Sequence, residues 1–250
     1  LYFLFAPTLI YRDAYPRTNS INWKFVAQCL LESISAFFAI TFCAMNTYPS
    51  PERWARKFTV NDVLYDMADK IIFAPLFGMS FFFIILHSVQ NLFAEILQFG
   101  DRLFYLDWWN EPNFNSWLTK WNKIVRDWLY YYVYRDFKEH VCDNVLLARL
   151  VVFLLSFGVH EWVMFCCIGG IFPYLFLTFI VMSLPLSYFQ LPKNIISEVV
   201  MWVVAIVIAE VGAIVYVLEW DTLSKNPLIN PTLWESFAPR FLTADCALKF

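Results

Sequence analysis

The sequence predicts an all-α fold, a multi-pass transmembrane helical bundle with about five spans and amphipathic loop helices. Three observations predict it. The 250 residues are 60% hydrophobic and 20% aromatic but only 16% charged, a balance that cannot clothe an ordinary soluble domain. Apolar runs recur that approach or exceed the roughly 20 residues needed to cross a bilayer. Inside one of them, Leu150 to Phe172, sits the dipeptide His160-Glu161, with Ser156 as the only other polar side chain. An ionisable group at membrane depth is costly, so it marks a functional site by default, although a buried neutral histidine can also serve helix packing.

The opening LYFLFAPTLI is too short to span a bilayer and lacks the basic region of a secretory signal. The chain therefore reads as a portion of a longer protein, with earlier spans missing. The first span is expected from Asn22 to Met45. Pro49 to Lys70 has two prolines and mixed charges, which suits a loop with a short amphipathic helix.

The second span, Ile71 to Leu97, carries His87, Asn91 and Glu95 at i, i+4 and i+8, and this spacing lines one helix face. Lipid does not tolerate such a stripe, so it faces either a wet cavity or another helix to which it hydrogen-bonds. Further spans are expected from Leu146 to Phe172, Ile171 to Leu191 and Ile195 to Leu218. The third and fourth join at Gly169, Gly170 and Pro173, residues that permit a tight turn. A small excess of Lys and Arg places the loop 101–145 in the cytoplasm and the C-terminus on the opposite side.

That loop holds five of the eleven tryptophans. Trp117, Trp121 and Trp128 follow i, i+4, i+11, which predicts an aromatic ridge on one helix from about Asn115 to Phe137. Asn122 and Arg126 lie off the ridge at i and i+4, with Thr119 a turn earlier. A polar, basic face beside an aromatic one suits a ligand with a phosphorylated head and an apolar tail.

The net charge of −3 provides no basic surface for nucleic acid. No cysteine pair has metal-ligand spacing with histidine, so no metal is expected. Cys29, Cys43, Cys166 and Cys167 read as small hydrophobes.

The segment Phe104 to Asn110 reads FYLDWWN and has the form F-Y-x-D-W-W-N. It resembles the signature of the sterol O-acyltransferases within the membrane-bound O-acyltransferase family. LYFLFAPTLIYRDAYPRT, NLFAEILQFGDRLFY, Trp121-Asn122, DWLYYY at Asp127 to Tyr132, and the S-x-x-x-H-E of Ser156 to Glu161 follow in the order of the same family. The diacylglycerol acyltransferase branch usually carries glutamate where this chain has Asp107, which favours the sterol branch.

The resemblance implies one membrane-embedded acyltransferase domain over 1–250, the C-terminal portion of such an enzyme, with the motif and amphipathic helix in the loop 101–145. It implies a multi-pass protein of the endoplasmic reticulum membrane that forms homo-oligomers. The reaction it implies moves a long-chain acyl group from coenzyme A to the 3-hydroxyl of a sterol, with acyl-CoA as co-substrate and no cofactor. Diacylglycerol is the alternative acceptor. A membrane transporter using the His87 stripe and Glu210 is a third reading, although no internal repeat supports it.

An alcohol is a poor nucleophile near neutral pH, so a base must take its proton, and an apolar surround keeps the His160 imidazole in the neutral form that this requires. Negative charge then develops on the thioester oxygen, and Asn122 is the matching uncharged donor. Matching family positions assign Ser116, Arg126 and Tyr134 to the polar part of acyl-CoA and Trp121 to apolar contact; Ser156, four residues before His160 and on the same helix face, either hydrogen-bonds the acyl-CoA or bonds back to its own helix. An acyl-enzyme on Cys166 or Cys167 is discounted because neither thiol has a base or cation nearby in sequence. Glu161 points about 100° away from His160 and suits packing or orientation.

Two departures stand out. The family commonly has histidine before D-W-L-Y-Y-Y, where this chain has Arg126; phosphate contact survives that change, but proton transfer does not. The C-terminal disulfide common in the family is not expected, since Cys246 has no partner after Cys167. Within the motif, Phe104, Tyr105, Asp107, Trp108, Trp109 and Asn110 either touch ligand or are structural, with the tryptophans packing and Asp107 capping or bridging loop helices.

Overall fold

The computed structural model describes residues 2–47, 60–169, 173–178, 181 and 191–225. Among these, the secondary structure is helical and four helices are long and apolar enough to cross a membrane. The chain divides into two compact units, one of Leu1–Phe42, Leu76–Phe153 and Phe189–Met201, the other of Cys43–Pro75, Leu154–Tyr188 and Trp202–Phe250.

In the first unit, α1 (Trp23–Thr47) starts after Asn22, whose side-chain oxygen accepts from the Phe25 amide at 3.3 Å. This local bond satisfies one of the amide donors that a helix start leaves open. A second short helix, α2 (Val60–Lys70), belongs to the other unit. It matches the latter half of the expected amphipathic segment, while residues 48–59 lie outside those described.

The second span, α3 (Phe73–Ile96), is continuous but passes through a π-helical turn at Ile84–Ser88. The chain stops it with a left-handed residue, Gln98 at φ 54°. Phe99 N–H then donates to the Ala94 carbonyl at 2.7 Å and Gln98 N–H to that of Glu95 at 3.1 Å. This pair of bonds is a Schellman cap. It turns Phe99 back onto Ala94, and both join Ala6 and Phe104 in a buried cluster flanked by Tyr2, Tyr15 and Ile124. Gly100 is needed where it stands, because a Cβ there would lie 3.0 Å from the Pro16 carbonyl oxygen.

After the motif come α4 (Phe114–Trp121) and α5 (Lys123–Leu129), followed by a π-helical turn (Tyr130–Arg135) that leads into α6 (Asp136–His140). The single helix expected from Asn115 to Phe137 is thus divided. Asn122 leaves helical geometry at φ −138°, ψ 84°, and its side chain accepts from Val125 N–H at 3.2 Å. A short polar side chain that bonds its own backbone competes with helix continuation. The aromatic ridge divides with it: Trp117 and Trp121 stack at 4.9 Å, while Trp128, beyond the break, meets Tyr132.

The third span, α7 (Val145–Ile168), is capped by Asn144, whose oxygen accepts from the Leu146 and Leu147 amides. It ends at Gly169, where φ is +80°, a value that glycine adopts at no steric cost. Of the expected fourth span, the described residues show the short helix α8 (Tyr174–Thr178); Gly170 and residues 171–172, 179–180 and 182–190 lie outside them, as does Cys246.

The last span, α9 (Ile195–Lys225), continues past the expected end at Leu218. Within the second unit, α8 packs on α9 through Tyr174 and Tyr216, whose rings meet edge to face at 5.6 Å. Tyr174 also donates to the Ile208 carbonyl at 3.0 Å. That approach requires Gly212, where a Cβ would lie 2.8 Å from Cε1 of Tyr174.

Candidate functional site

Each unit carries its own part of the predicted site. In the first, the motif segment folds over α4. Phe104 is buried and stacks on Phe99 at 6.3 Å. Trp108, 3% exposed, meets Trp117 edge to face at 5.4 Å and Trp121 at 5.1 Å. On its other side Trp121 touches Phe82 of α3, with ring centroids 4.2 Å apart. Edge-to-face aromatic pairs of this kind add stabilisation beyond the area they bury. Tyr105 bridges outward to Trp109 at 5.7 Å and to His87 at 5.8 Å. Asn110 closes the short turn Trp108–Asn110, donating its amide to the Asp107 carbonyl. Most of the signature therefore packs, which places Asn122 directly after a tryptophan held on two sides.

Asp107 bridges the loop electrostatically. Its Oδ1 lies 2.9 Å from Lys120 Nζ, and Glu111 Oε1 reaches the same ammonium at 2.6 Å. The Lys120 hydrogen bond, assisted by a backbone donor within Asp107 itself, holds the Asp107 carboxyl below its ordinary range. Glu111 first and Asp107 second hold Lys120 above its own. Neither Glu111 nor Lys120 was legible as a site residue, because their pairing crosses a loop and follows no helical spacing.

Asn122 is half-buried. Because its side-chain oxygen is the acceptor for Val125 N–H, the amide orientation is defined and the NH2 group is turned the other way. Arg126 is not on a common helical face with Asn122, since Asn122 caps the helix in which Arg126 lies. The Arg126 guanidinium pairs with Asp127 at 2.7 Å and stands over the Tyr130 ring at 5.6 Å. Burial pushes Asp127 upward, but hydrogen bonds and charge from Lys123 and Arg126 outweigh it and leave the carboxyl low. Tyr134 stacks on Tyr130 at 5.7 Å, so Arg126, Tyr130 and Tyr134 form one flat polar-aromatic flank. The Ser116 carbonyl accepts from the Thr119 hydroxyl at 2.7 Å.

The stripe on α3 has partners within the first unit. His87 Nε2 lies 3.8 Å from Glu32 Oε2 on α1, and Ser88 donates to the same oxygen at 3.4 Å. Gln28 donates to the other Glu32 oxygen at 2.8 Å. Asn91 donates to the His87 carbonyl at 2.9 Å. Glu95 accepts from Asn22 N–H at 2.6 Å and pairs with Arg102. Helix-to-helix bonding accounts for the contacts of His87 and Ser88 with Glu32, whereas Asn91 bonds within its own helix and Glu95 bonds to flanking segments. Glu32 could have been found from its i, i+4 spacing with Gln28 inside an apolar run.

In the second unit, Ser156, His160 and Glu161 sit on α7. His160 Nδ1 is 2.6 Å from the Ser156 carbonyl oxygen. A carbonyl has no proton to give, so Nδ1 carries the hydrogen and a neutral ring keeps its lone pair on Nε2. The ring is exposed among the described residues, as are Cys166 and Cys167, which the apolar run had suggested would be buried. They lie on flanks of α7 that no described residue covers. Glu161 accepts from the Tyr216 hydroxyl at 3.5 Å, and that hydroxyl also accepts from Leu175 N–H at 3.3 Å. Glu161 thus orients α7 against α8 and α9, while Asn122 and His160 belong to different units.

These features define an integral-membrane helical protein with a polar, aromatic-lined loop and a histidine on a helix long and apolar enough to cross a membrane. Residues 1–218 match the membrane-bound O-acyltransferase family (MBOAT), and the chain belongs to that family. It is 36% identical over 256 residues to Sterol O-acyltransferase 1 of Mus musculus, covering 97% of this chain and 46% of that protein. To Sterol O-acyltransferase 1 of Chlorocebus aethiops it is 35% identical over 254 residues, covering 97% and 45%. To Sterol O-acyltransferase 2 of Rattus norvegicus it is 34% identical over 255 residues, covering 96% and 47%. The chain spans less than half the length of these relatives.

Proposed function

We propose that this chain carries the acyl-transfer centre of an acyl-CoA:sterol O-acyltransferase. The observation that carries the reading is the 2.6 Å contact between His160 Nδ1 and the Ser156 carbonyl oxygen. A neutral imidazole whose Nδ1–H is tied to the Ser156 carbonyl presents Nε2 as the acceptor a general base needs. The relatives named Sterol O-acyltransferase support the sterol as acceptor.

In this reading the sterol 3-hydroxyl approaches the thioester carbonyl of a long-chain acyl-CoA. Nε2 of His160 takes the hydroxyl proton as the new C–O bond forms, and the Asn122 NH2 donates to the developing oxyanion. As the tetrahedral species collapses, the C–S bond breaks and the proton passes to the departing sulfur. The products are a steryl ester and free coenzyme A, with no acyl-enzyme. Ser116, Arg126, Tyr134 and Ser156 contact the polar part of the coenzyme, with Arg126 on phosphate, and Trp121 contacts an apolar part. The enzyme works as a homo-oligomer in the endoplasmic reticulum membrane.

The test supplies the membrane-embedded protein with labelled oleoyl-CoA and either cholesterol or diacylglycerol. Label in steryl ester is the expected result. Label in triacylglycerol alone moves the chain to the other acceptor class, and label in neither refutes the acyl-transfer reading.

A further inference from the structure

We propose that Lys120 is a positioning residue for the Asn122 amide, acting as a strut between the motif loop and the last turn of α4. The inference rests on the reading of Asn122 as the oxyanion donor. Three observations carry it. First, the Lys120 ammonium lies 2.9 Å from Asp107 and 2.6 Å from Glu111, so one cation joins two points of the loop on either side of the Trp108–Asn110 turn. Second, Lys120 is in the last turn of α4, two residues before Asn122, where the backbone leaves the helix at φ −138°. Third, Asn122 is tied downstream by its own bond to Val125 N–H and stands at the break between α4 and α5, so its placement depends on how the last turn of α4 is held.

The two halves of the strut differ in environment. Asp107 is 58% exposed and Glu111 13%, against 31% for Lys120. A single exposed pair contributes little, whereas a shared cation with a mostly covered carboxylate holds its geometry better. The aromatic contacts of Trp121 with Trp108 and Phe82 keep α4 in place without the ammonium. Loss of the strut therefore loosens the final turn and the amide that follows it without unfolding the loop. A displacement of the donor by a fraction of an ångström acts on turnover, since a donor must sit where the oxyanion will form.

The experiment measures steryl-ester formation by the membrane-embedded protein carrying Lys120→Met, Lys120→Arg, Asn122→Ala, or Lys120→Met with Asn122→Ala. Lys120→Met is expected to lower kcat about tenfold with the acyl-CoA KM unchanged within about twofold. Lys120→Arg should restore most of that loss, because it keeps the cation between the two carboxylates. In the Asn122→Ala background, Lys120→Met should cost nothing further, as expected for residues acting through one group. A full additional tenfold loss in that background overturns the proposal, since Lys120 would then act independently of the amide. So does an unchanged kcat for Lys120→Met when Asn122→Ala is impaired; the reading of Asn122 survives that result. Normal turnover by Asn122→Ala removes the reading of Asn122 and the strut with it. If Lys120→Met does not accumulate in membranes, Lys120→Gln takes its place with the same expectations.

Discussion

Asn122 and His160 are held in contrasting ways. Asn122 follows a tryptophan packed between Trp108 and Phe82, precedes a helix that it caps, and lies two residues after an ammonium shared by two carboxylates. His160 is fixed by one bond to a carbonyl four residues earlier on its own helix, with its ring exposed among the described residues. The first arrangement needs long-range contacts within its unit; the second needs only an intact helix. A donor that stabilises an oxyanion must be preorganised to a fraction of an ångström, whereas a base requires the correct tautomer and reach. The contrast fits that division of work.

The largest expected effect comes from removing the imidazole. His160→Ala should lower steryl-ester turnover by about 10²–10⁴-fold, with protein abundance in membranes unchanged. Near-normal turnover in a well-folded variant would remove His160 from the chemistry. Asn122→Ala should lower kcat by about 10²–10³-fold while leaving acyl-CoA KM nearly unchanged. A raised KM with normal kcat would move Asn122 to a binding role and erase the contrast with His160.

Packing is the next largest effect. Trp108→Ala empties the centre of the aromatic cluster and should destabilise the protein by about 3–5 kcal/mol, read as a fall in Tm in detergent. In the second unit, Gly212→Ala forces a methyl against the Tyr174 ring and should cost about 1–3 kcal/mol, read in the same way. Equal, negligible shifts for both would mean that neither contact bears on stability.

The smallest effect is electrostatic. Asp107 is held below its ordinary pKa of 3.8, so its contribution to stability is complete above that pH and is lost as pH falls through the lowered value. Lys120 is held above its ordinary 10.5, so its contribution is complete below that pH and is lost as pH rises through the raised value. Between those limits, the Tm difference between the unsubstituted protein and Asp107→Asn should be constant, and it should shrink in acid. A difference that grows in acid would mean the pair does not stabilise the fold.

The spans were legible because an apolar run of bilayer length has few alternatives to a helix; α1, α3, α7 and α9 fall where hydropathy put them. The break at Asn122 was not read, because the tryptophan spacing runs smoothly through it. The sign was present in the residue itself, since asparagine is a favoured helix cap. The Schellman cap at Gln98 gave no such sign, for glutamine is an uncommon left-handed residue. Spacing alone places His87, Asn91 and Glu95 on one face, but the partners of His87 and Glu95, namely Glu32, Asn22 and Arg102, come from other segments.

What the amino-acid order determined by itself was local: the spanning helices, and the contact of His160 Nδ1 with a carbonyl four residues earlier on its own helix. Contacts across loops belonged to the tertiary structure. Lys120 meets Glu111, Trp121 meets Phe82 and Tyr216 meets Glu161 only after the chain has folded back. Helical periodicity relates residues within about one turn of each other, and pairing at longer range depends on where the loops return the chain.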